Sequence, residues 1–467
     1  MIPYFPKQIS QRAIIVYLAS LAVVSVVYIS FAMPIGYMAL GCLWVFSFFL
    51  IVSRWSKEWC TKNSEKRYVE HIFLSALALR IVWVVASYFF YIYATGSPFE
   101  FQARDSGAYH EDSMWLASEP WSTTWGYLFG GILYADSGYP LFLTFIYKIF
   151  GPVIIIPRII NALLGSWTCV LIYRISSRTF GEEVGRLAGI MAVFMPNLIM
   201  YCGYHLKETL MIFLVVACLE RSDYMIRSKR LTFFGVLVPA LLAASLFLFR
   251  TALGAAAVFA LASAILMSSA PAMKRTGKRV ALICWGVLAL IVFAGGAIAS
   301  EVESMWEGRG ENLERKRTEQ TLRGNQWAQY ATATVMAPMI TVLPFATMVN
   351  VDEQYGQQAK SGGNFIRNFM GFFTLLAIYE ALRRKQWKNF VLIGAFVASY
   401  LGVVALSGFS NSERFLLPGL PGLIMMWAYG VSTLRTKTYK LLTPWCFVVF
   451  AMEFAWAYFK LGSRGIL

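Results

Sequence analysis

The chain has 467 residues, 58% hydrophobic and 14% charged, with a formal net charge of +16 and a mean hydropathy of +0.58. Apolar runs of membrane-crossing length recur from residue 13 almost to the end, which predicts an all-α polytopic membrane protein; long alternating segments are absent, which argues against a β-barrel. The Lys and Arg excess sits in short connections between the apolar runs, the pattern that sets membrane topology, so the positive charge does not point to nucleic acid.

A crossing needs roughly 20 apolar residues. Met1–Arg12 precedes a run too long for the core of a signal peptide, so no cleavable leader is expected. Residues 13–33 lead outward from a cytoplasmic N-terminus, and 36–53 return to a basic connection, Arg54–Tyr68, holding Lys57, Lys62, Lys66 and Arg67. Residues 71–95 go out to Phe101–Trp115, FQARDSGAYHEDSMW, which concentrates three acids, an Arg and a His in a chain otherwise built for lipid. The segment Gly96–Gly151 is far longer than an ordinary connection, aromatic throughout, and broken by Gly and Pro. Helices lying in the membrane interface are expected there, with Gly138–Phe150 the clearest.

Residues 155–173 go inward to Arg174 and Arg178, and 187–203 go out to a short turn, GYHLKE, with His205, Lys207 and Glu208. The run 209–219, short for a crossing, returns to Arg221 and Arg227; 231–249 goes out to Arg250, 252–270 comes back, and 280–299 goes out again. Residues 301–364 form a second outer segment, its first half mixed in charge and solvated. Its apolar stretch Val335–Val349, broken by Pro338 and Pro344, is expected in the interface or against the core. Runs 365–382, 390–408, 415–432 and 441–459 complete about 13 crossings, with the C-terminus outside.

The chain therefore divides into an N-terminal hairpin with its basic loop (1–70), a membrane core (71–300) bearing the outer loop 96–152, the outer segment 301–364, and C-terminal crossings (365–467). The seven Cys lie almost all within apolar runs and show no CxxC spacing, so they read as packing residues, and three His make a His-rich metal site unexpected. No N-x-S/T sequon occurs, which favours a prokaryotic source.

Setting aside cytoplasmic charges and the solvated loop leaves Arg104, Asp105, His110, Glu111, Asp112, Lys207, Glu208, Arg250 and Arg414 on the outer face. Ionisable groups beside lipid are costly and so are usually paired or functional. Several cations with one or two carboxylates suit an anionic phosphate headgroup and a reaction beside it. Ordinary roles compete: Asp105 and Asp112 as loop solvation, Lys207 and Glu208 as a helix start, Arg250 and Arg414 as interface anchors, Arg80 as a snorkelling or internally paired residue.

Five stretches in order, RDSGAY, GYPLFLTFIYKIFG, PRIINALLGSWTCVLIYRISSRTFG, GYHLKETLMIFLVV and ERFLLPGLPGLIM, carry a family likeness over roughly residues 71–430. The sequence resembles the GT-C glycosyltransferases, in the branch with dolichyl-phosphate-mannose protein mannosyltransferases and the bacterial lipid A aminoarabinose transferase. It departs from them in its N-terminal hairpin, in Ser106 where many relatives have a second acid, and in lacking a clear C-terminal soluble domain.

The resemblance implies a GT-C-like bundle that moves a sugar from a polyprenyl-phosphate donor to a hydroxyl of a glycan, lipid or protein acceptor, usually with inversion. It implies Asp105 as general base and Lys207, Arg250 and Arg414 at the phosphate. Glu208 would orient Lys207 or the acceptor, with Tyr109, His110 and Asp112 as further substrate contacts. A divalent cation is permitted and not required. The expected setting is a bacterial inner membrane, with the site facing the periplasm or exterior. Two alternatives stand beside this reading: a polymerase or ligase using a polyprenyl-diphosphate-linked glycan, and a transporter or flippase of an anionic lipid or solute.

Overall fold

The computed structural model describes residues 4–62, 64–101, 103–129, 137–268, 337–351, 354–406 and 412–462, with scattered positions between 276 and 286. Regular secondary structure among these residues is helical, relieved by one isolated antiparallel bridge between Ala32 and Val349. In chain order the helices used below begin with α1 (Lys7–Val27), α2 (Ile35–Trp59) and α3 (Glu65–Thr95). After α3 come α4 (Arg104–Ser118), α5 (Trp121–Phe129) and α6 (Gly138–Phe150), followed by α7 (Ile155–Phe180), α8 (Glu182–Phe194) and α9 (Pro196–Met200). Next come α10 (Glu208–Arg227), α11 (Phe233–Phe247) and α12 (Thr251–Met267). The chain closes with α13 (Ser361–Arg383), α14 (Trp387–Leu406), α15 (Glu413–Ser432) and α16 (Thr436–Gly462).

Eight of these, α1, α2, α3, α7, α13, α14, α15 and α16, are long and apolar enough to cross a membrane, and the protein is a multi-pass membrane protein. A ninth crossing follows if α8 and the stretch from Pro196 to Gly203, bent by 56° at Pro196, form one broken span. The expectation of about 13 crossings is met only in part. Helices do occupy the stretches expected to cross at 209–219, 231–249 and 252–270. However, α10 spans 20 residues and carries Glu208, Glu220, Asp223 and Arg227, while α11 and α12 have 15 and 17 residues. The expected run 280–299 lies outside the described residues but for isolated positions.

The interior is built from helices buried on every side and mostly apolar. Every residue from Leu420 to Ser432 is buried, as is every residue from Val184 to Phe194. Arg80, inside α3, does not snorkel: it is fully buried and donates to the carbonyls of Ala192 (3.3 Å) and Val193 (3.5 Å) and to Cys169 Sγ (3.3 Å). Of the two places open to the apolar stretch before Val349, its described part takes the core. Leu343, Phe345, Ala346, Met348 and Val349 are buried, and Asn368 donates to the Pro344 carbonyl at 2.9 Å.

The geometry that matters for a site is the exit from α3. Its 31 residues reach about 46 Å, well beyond a hydrocarbon core of about 30 Å. It stops at Gly96, whose φ of 73° places it in the left-handed region, and whose N–H returns to Ile92 O at 3.0 Å. Gly151, also at positive φ (76°) but with an extended ψ of 173°, ends α6 with its N–H returned to Tyr147 O at 2.9 Å. Lacking a Cβ, glycine takes this conformation at little cost. The two glycines thus bracket the helices α4, α5 and α6.

Candidate functional site

Helix α4 carries the acidic motif, and α6 is the platform beneath it. Tyr109 packs edge-on against Tyr139 with ring centroids 5.3 Å apart, Ser113 Oγ donates to the Pro140 carbonyl at 3.2 Å, and His110 Nδ1 lies 2.8 Å from Tyr147 Oη. At the far end, Lys148 Nζ reaches the carbonyls of Ala117 (3.2 Å) and Glu119 (2.5 Å), a cation at the negative end of the helix dipole. The N-terminus of α6 is fixed in turn by Gly138 N–H to Leu248 O at 3.0 Å, one residue before Phe249 and Arg250. Gly138 is required here, since an added Cβ would come within 2.9 Å of the Phe249 ring and 3.0 Å of the Leu248 carbonyl.

On this frame four of the residues singled out from sequence form one chain of contacts. Asp105, in the first turn of α4, accepts from Arg414 Nη1 at 2.5 Å. Arg414 Nε donates to Glu208 Oε1 at 2.9 Å, and Arg250 Nη2 stands 3.5 Å from the same oxygen. Burial is graded along the chain: the side chain of Asp105 is 52% exposed, that of Arg414 27%, that of Arg250 13% and that of Glu208 0%. Arg250 is held further by Tyr400 Oη at 3.2 Å, which itself donates to Phe415 O at 2.8 Å, and by the Phe415 ring, 4.1 Å from its guanidinium carbon. Lys207 caps the start of α10 and donates to the Phe249 carbonyl at 3.3 Å.

The remaining two expected residues stand apart from this chain. His110 joins a relay in which Tyr147 Oη also lies 3.1 Å from His205 Nε2, and Asp112 makes no ion pair with a described residue. It follows Asp105 by seven positions, which on a helix is the same face about 10 Å further along. Burial, reinforced by Glu111, raises the Asp112 carboxyl above its usual range. Burial also lowers His110, against the pull of Glu111, and lowers His205 far more, helped by the charges of Arg158 and His110. His205 is therefore a neutral imidazole at pH 7, and Tyr147 stays a phenol because burial raises it.

Sequence reasoning passed over a second ion pair beside the first. Glu413, the residue before Arg414, is 1% exposed and pairs with Lys360 at 2.9 Å; Asn197 Nδ2 donates to it, and also to Asn364 Oδ1 at 3.2 Å. Lys360 in addition lies 3.4 Å from Tyr201 Oη. The signal was present, a Lys and a Glu at the mouths of two apolar runs, but Lys360 fell within a segment read as solvated. Also passed over were Arg158 and Asn161 on α7, both fully buried.

A groove of about 460 Å³ opens between α2 and α3, lined by apolar residues that include Tyr37, Leu40, Trp83 and Phe90. Its other walls are Phe101, Met200 and Ala359, which precede Asp105, Tyr201 and Lys360 closely in the chain. An apolar trough on helices of membrane-crossing length thus has among its walls the sequence neighbours of Tyr201 and Lys360. Among the described residues no three His, Cys, Asp or Glu are grouped to hold a metal ion, and the two acids that converge here, Asp105 and Glu208, each face a guanidinium. No model of a known protein family matches the chain, and no curated protein matches it.

Proposed function

We propose that the protein is a membrane glycosyltransferase that takes a sugar from a polyprenyl-phosphate donor and passes it to an acceptor hydroxyl, in a GT-C-like bundle. The observation that carries this reading is the convergence of Asp105, Glu208, Arg250 and Arg414, from four distant stretches, in a protein whose apolar groove reaches Met200 and Ala359, the sequence neighbours of Tyr201 and Lys360. A substrate that is half isoprenoid and half phosphosugar asks for such a junction. The groove would take part of the prenyl chain, and Arg250, Arg414 and Lys360 are the cations available to its phosphate. In this reading α10, α11 and α12, with residues 280–299, are further crossings, the site faces the non-cytoplasmic side, and the setting is a bacterial inner membrane.

In the reaction the acceptor oxygen bonds to the anomeric carbon while the bond from that carbon to the phosphate oxygen breaks. Its electron pair leaves on the lipid phosphate, which nearby guanidinium groups stabilise without a general acid. The acceptor proton passes to Asp105, the exposed carboxylate of the set, from the face opposite the leaving group, so the anomeric configuration inverts. Arg414 holds Asp105 in place from below through Glu208, which is too buried to meet an acceptor itself. The acids permit a divalent cation without requiring one.

Two other readings share the cluster. A polymerase or ligase using a polyprenyl-diphosphate-linked glycan would use the same cations. A transporter of an anionic lipid has one observation on its side, the break between α8 and α9, since discontinuous helices line many transport sites. Reconstitution into liposomes with a polyprenyl-phosphate sugar separates all three. The proposal expects a covalent product extended by one sugar; products of many repeats would favour the polymerase, and lipid flux with no covalent product would overturn the enzyme reading.

A further inference from the structure

Beside the Asp105–Arg414 chain lies a cluster of buried polar groups whose hydrogen-bonding capacity is unfilled. Arg158 is fully buried; its guanidinium carbon lies 5.8 Å from the Tyr88 ring centroid and Nη2 donates to Pro98 O at 2.5 Å, while Nε and Nη1 have no hydrogen-bond partner among the described residues. One turn along α7, Asn161 is fully buried, and its amide makes no well-formed hydrogen bond with a described residue beyond its approach to Tyr139. The Tyr139 hydroxyl is also buried, with the Asn161 amide as its near polar neighbour among the described residues, and His205 Nδ1 is buried and unpartnered. These groups come from three segments and share a neighbourhood: the Tyr139 and His205 rings are 6.0 Å apart, and the Arg158 charge acts on both.

Buried polar groups are normally hydrogen-bonded, and a buried charge is normally paired. The charge of Glu100 acts on Arg158, yet the two form no ion pair; one Glu100 oxygen takes the Ser106 hydroxyl and the other is unpartnered among the described residues. The contrast with Arg250 and Arg414, both seated on Glu208, is direct. The unfilled capacity is mostly that of donors: two guanidinium nitrogens bearing three N–H groups, and the donor capacity left over in the adjoining Asn161 amide and Tyr139 phenol. A ligand that satisfies them must bring acceptors and a negative charge.

We propose that Arg158, Asn161, Tyr139 and His205 form an oxyanion-binding pocket that takes a carboxylate or phosphate group of a substrate bound at the Asp105 site. The link to that site is Ser106, next to Asp105 and hydrogen-bonded to Glu100. Assigning the anion to a substrate rests on the glycosyltransferase reading; the pocket itself does not. The shared chemistry has two sources: the carboxylate of an acidic sugar, or a phosphate.

The test is binding to the full-length chain in detergent or nanodiscs, followed by calorimetry or intrinsic fluorescence, with methyl glucuronide, inorganic phosphate and the neutral methyl glucoside as probes. One anionic probe should bind and the neutral glycoside should bind at least tenfold more weakly, with Arg158→Gln costing about tenfold or more in Kd. Preference for the glucuronide identifies an acidic sugar; preference for phosphate identifies a phosphate group. Asn161→Ala and Tyr139→Phe, each removing unfilled groups without removing charge, should weaken the same probe severalfold and keep the test valid if Arg158→Gln does not fold. Failure of either anion to bind, equal binding of the neutral glycoside, or unchanged affinity in the folded variants overturns the proposal. Because the readout is binding, a protein that binds the anion but transfers no sugar would refute the enzyme reading and leave the pocket standing.

Discussion

Replacing Arg414 by Leu separates the two halves of the charged chain, because they differ in burial. Toward Glu208 the bond is internal: the carboxylate is 0% exposed, its Oε2 has no partner among the described residues, and without Arg414 its Oε1 keeps only Arg250 at 3.5 Å. Removing one partner of a buried pair costs about 3–5 kcal/mol, because the other charge is left behind. Toward Asp105 the bond is peripheral, to a side chain 52% exposed, and exposed pairs contribute about 0.2–1 kcal/mol. Arg414→Leu should therefore destabilise by about 3 kcal/mol or more and Asp105→Asn by about 1 kcal/mol or less. A cycle with Glu208→Gln should show coupling of about 0.5–3 kcal/mol. The assay is denaturant or thermal unfolding of the purified protein in one detergent. Greater loss from Asp105→Asn than from Arg414→Leu, or additivity of Arg414→Leu with Glu208→Gln, would refute the graded arrangement.

Burial holds His205 neutral, so its folded pKa lies far below that of the unfolded chain. The associated stability is complete above the unfolded His value of about 6.5 and declines as pH falls, at up to about 1.4 kcal/mol per pH unit. His205→Gln should flatten a thermal-stability profile between pH 7.5 and 5; an unchanged slope would count against the buried neutral imidazole. Ala86→Trp, on the wall of the apolar groove, should raise KM for a long-chain donor while sparing a short-chain analogue. Equal KM values for both donors would remove the groove from the substrate path.

The helical, multi-pass character was legible because it rests on local quantities, the length of apolar runs and the charges at their ends. The helix Gly138–Phe150 was legible for the same reason, and in the fold it serves as a platform for Tyr109 and His110. Two things depend on tertiary placement and could not be read. One is depth: Glu208, a helix-starting acid by sequence, is fully buried, whereas Asp105 in a similar position is half-exposed. The other is partnership, since nothing in Lys360 announces Glu413, or in Asp105 Arg414, 309 positions away. Arg158 left a fainter trace, a single cation early in an apolar run, which topology reasoning assigns to lipid headgroups and burial assigns to the interior.

The central claim is that Asp105 is the base of an inverting sugar transfer, and the direct measurement is single-turnover transfer from a synthetic polyprenyl-phosphate sugar by wild-type and Asp105→Asn protein, with the product anomer assigned by NMR. The account predicts an inverted product from the wild type, a rate lower by about 10²–10⁴-fold in the variant, and near wild-type stability of the variant. Transfer by Asp105→Asn at close to the wild-type rate, or retention of configuration in the product, would contradict it.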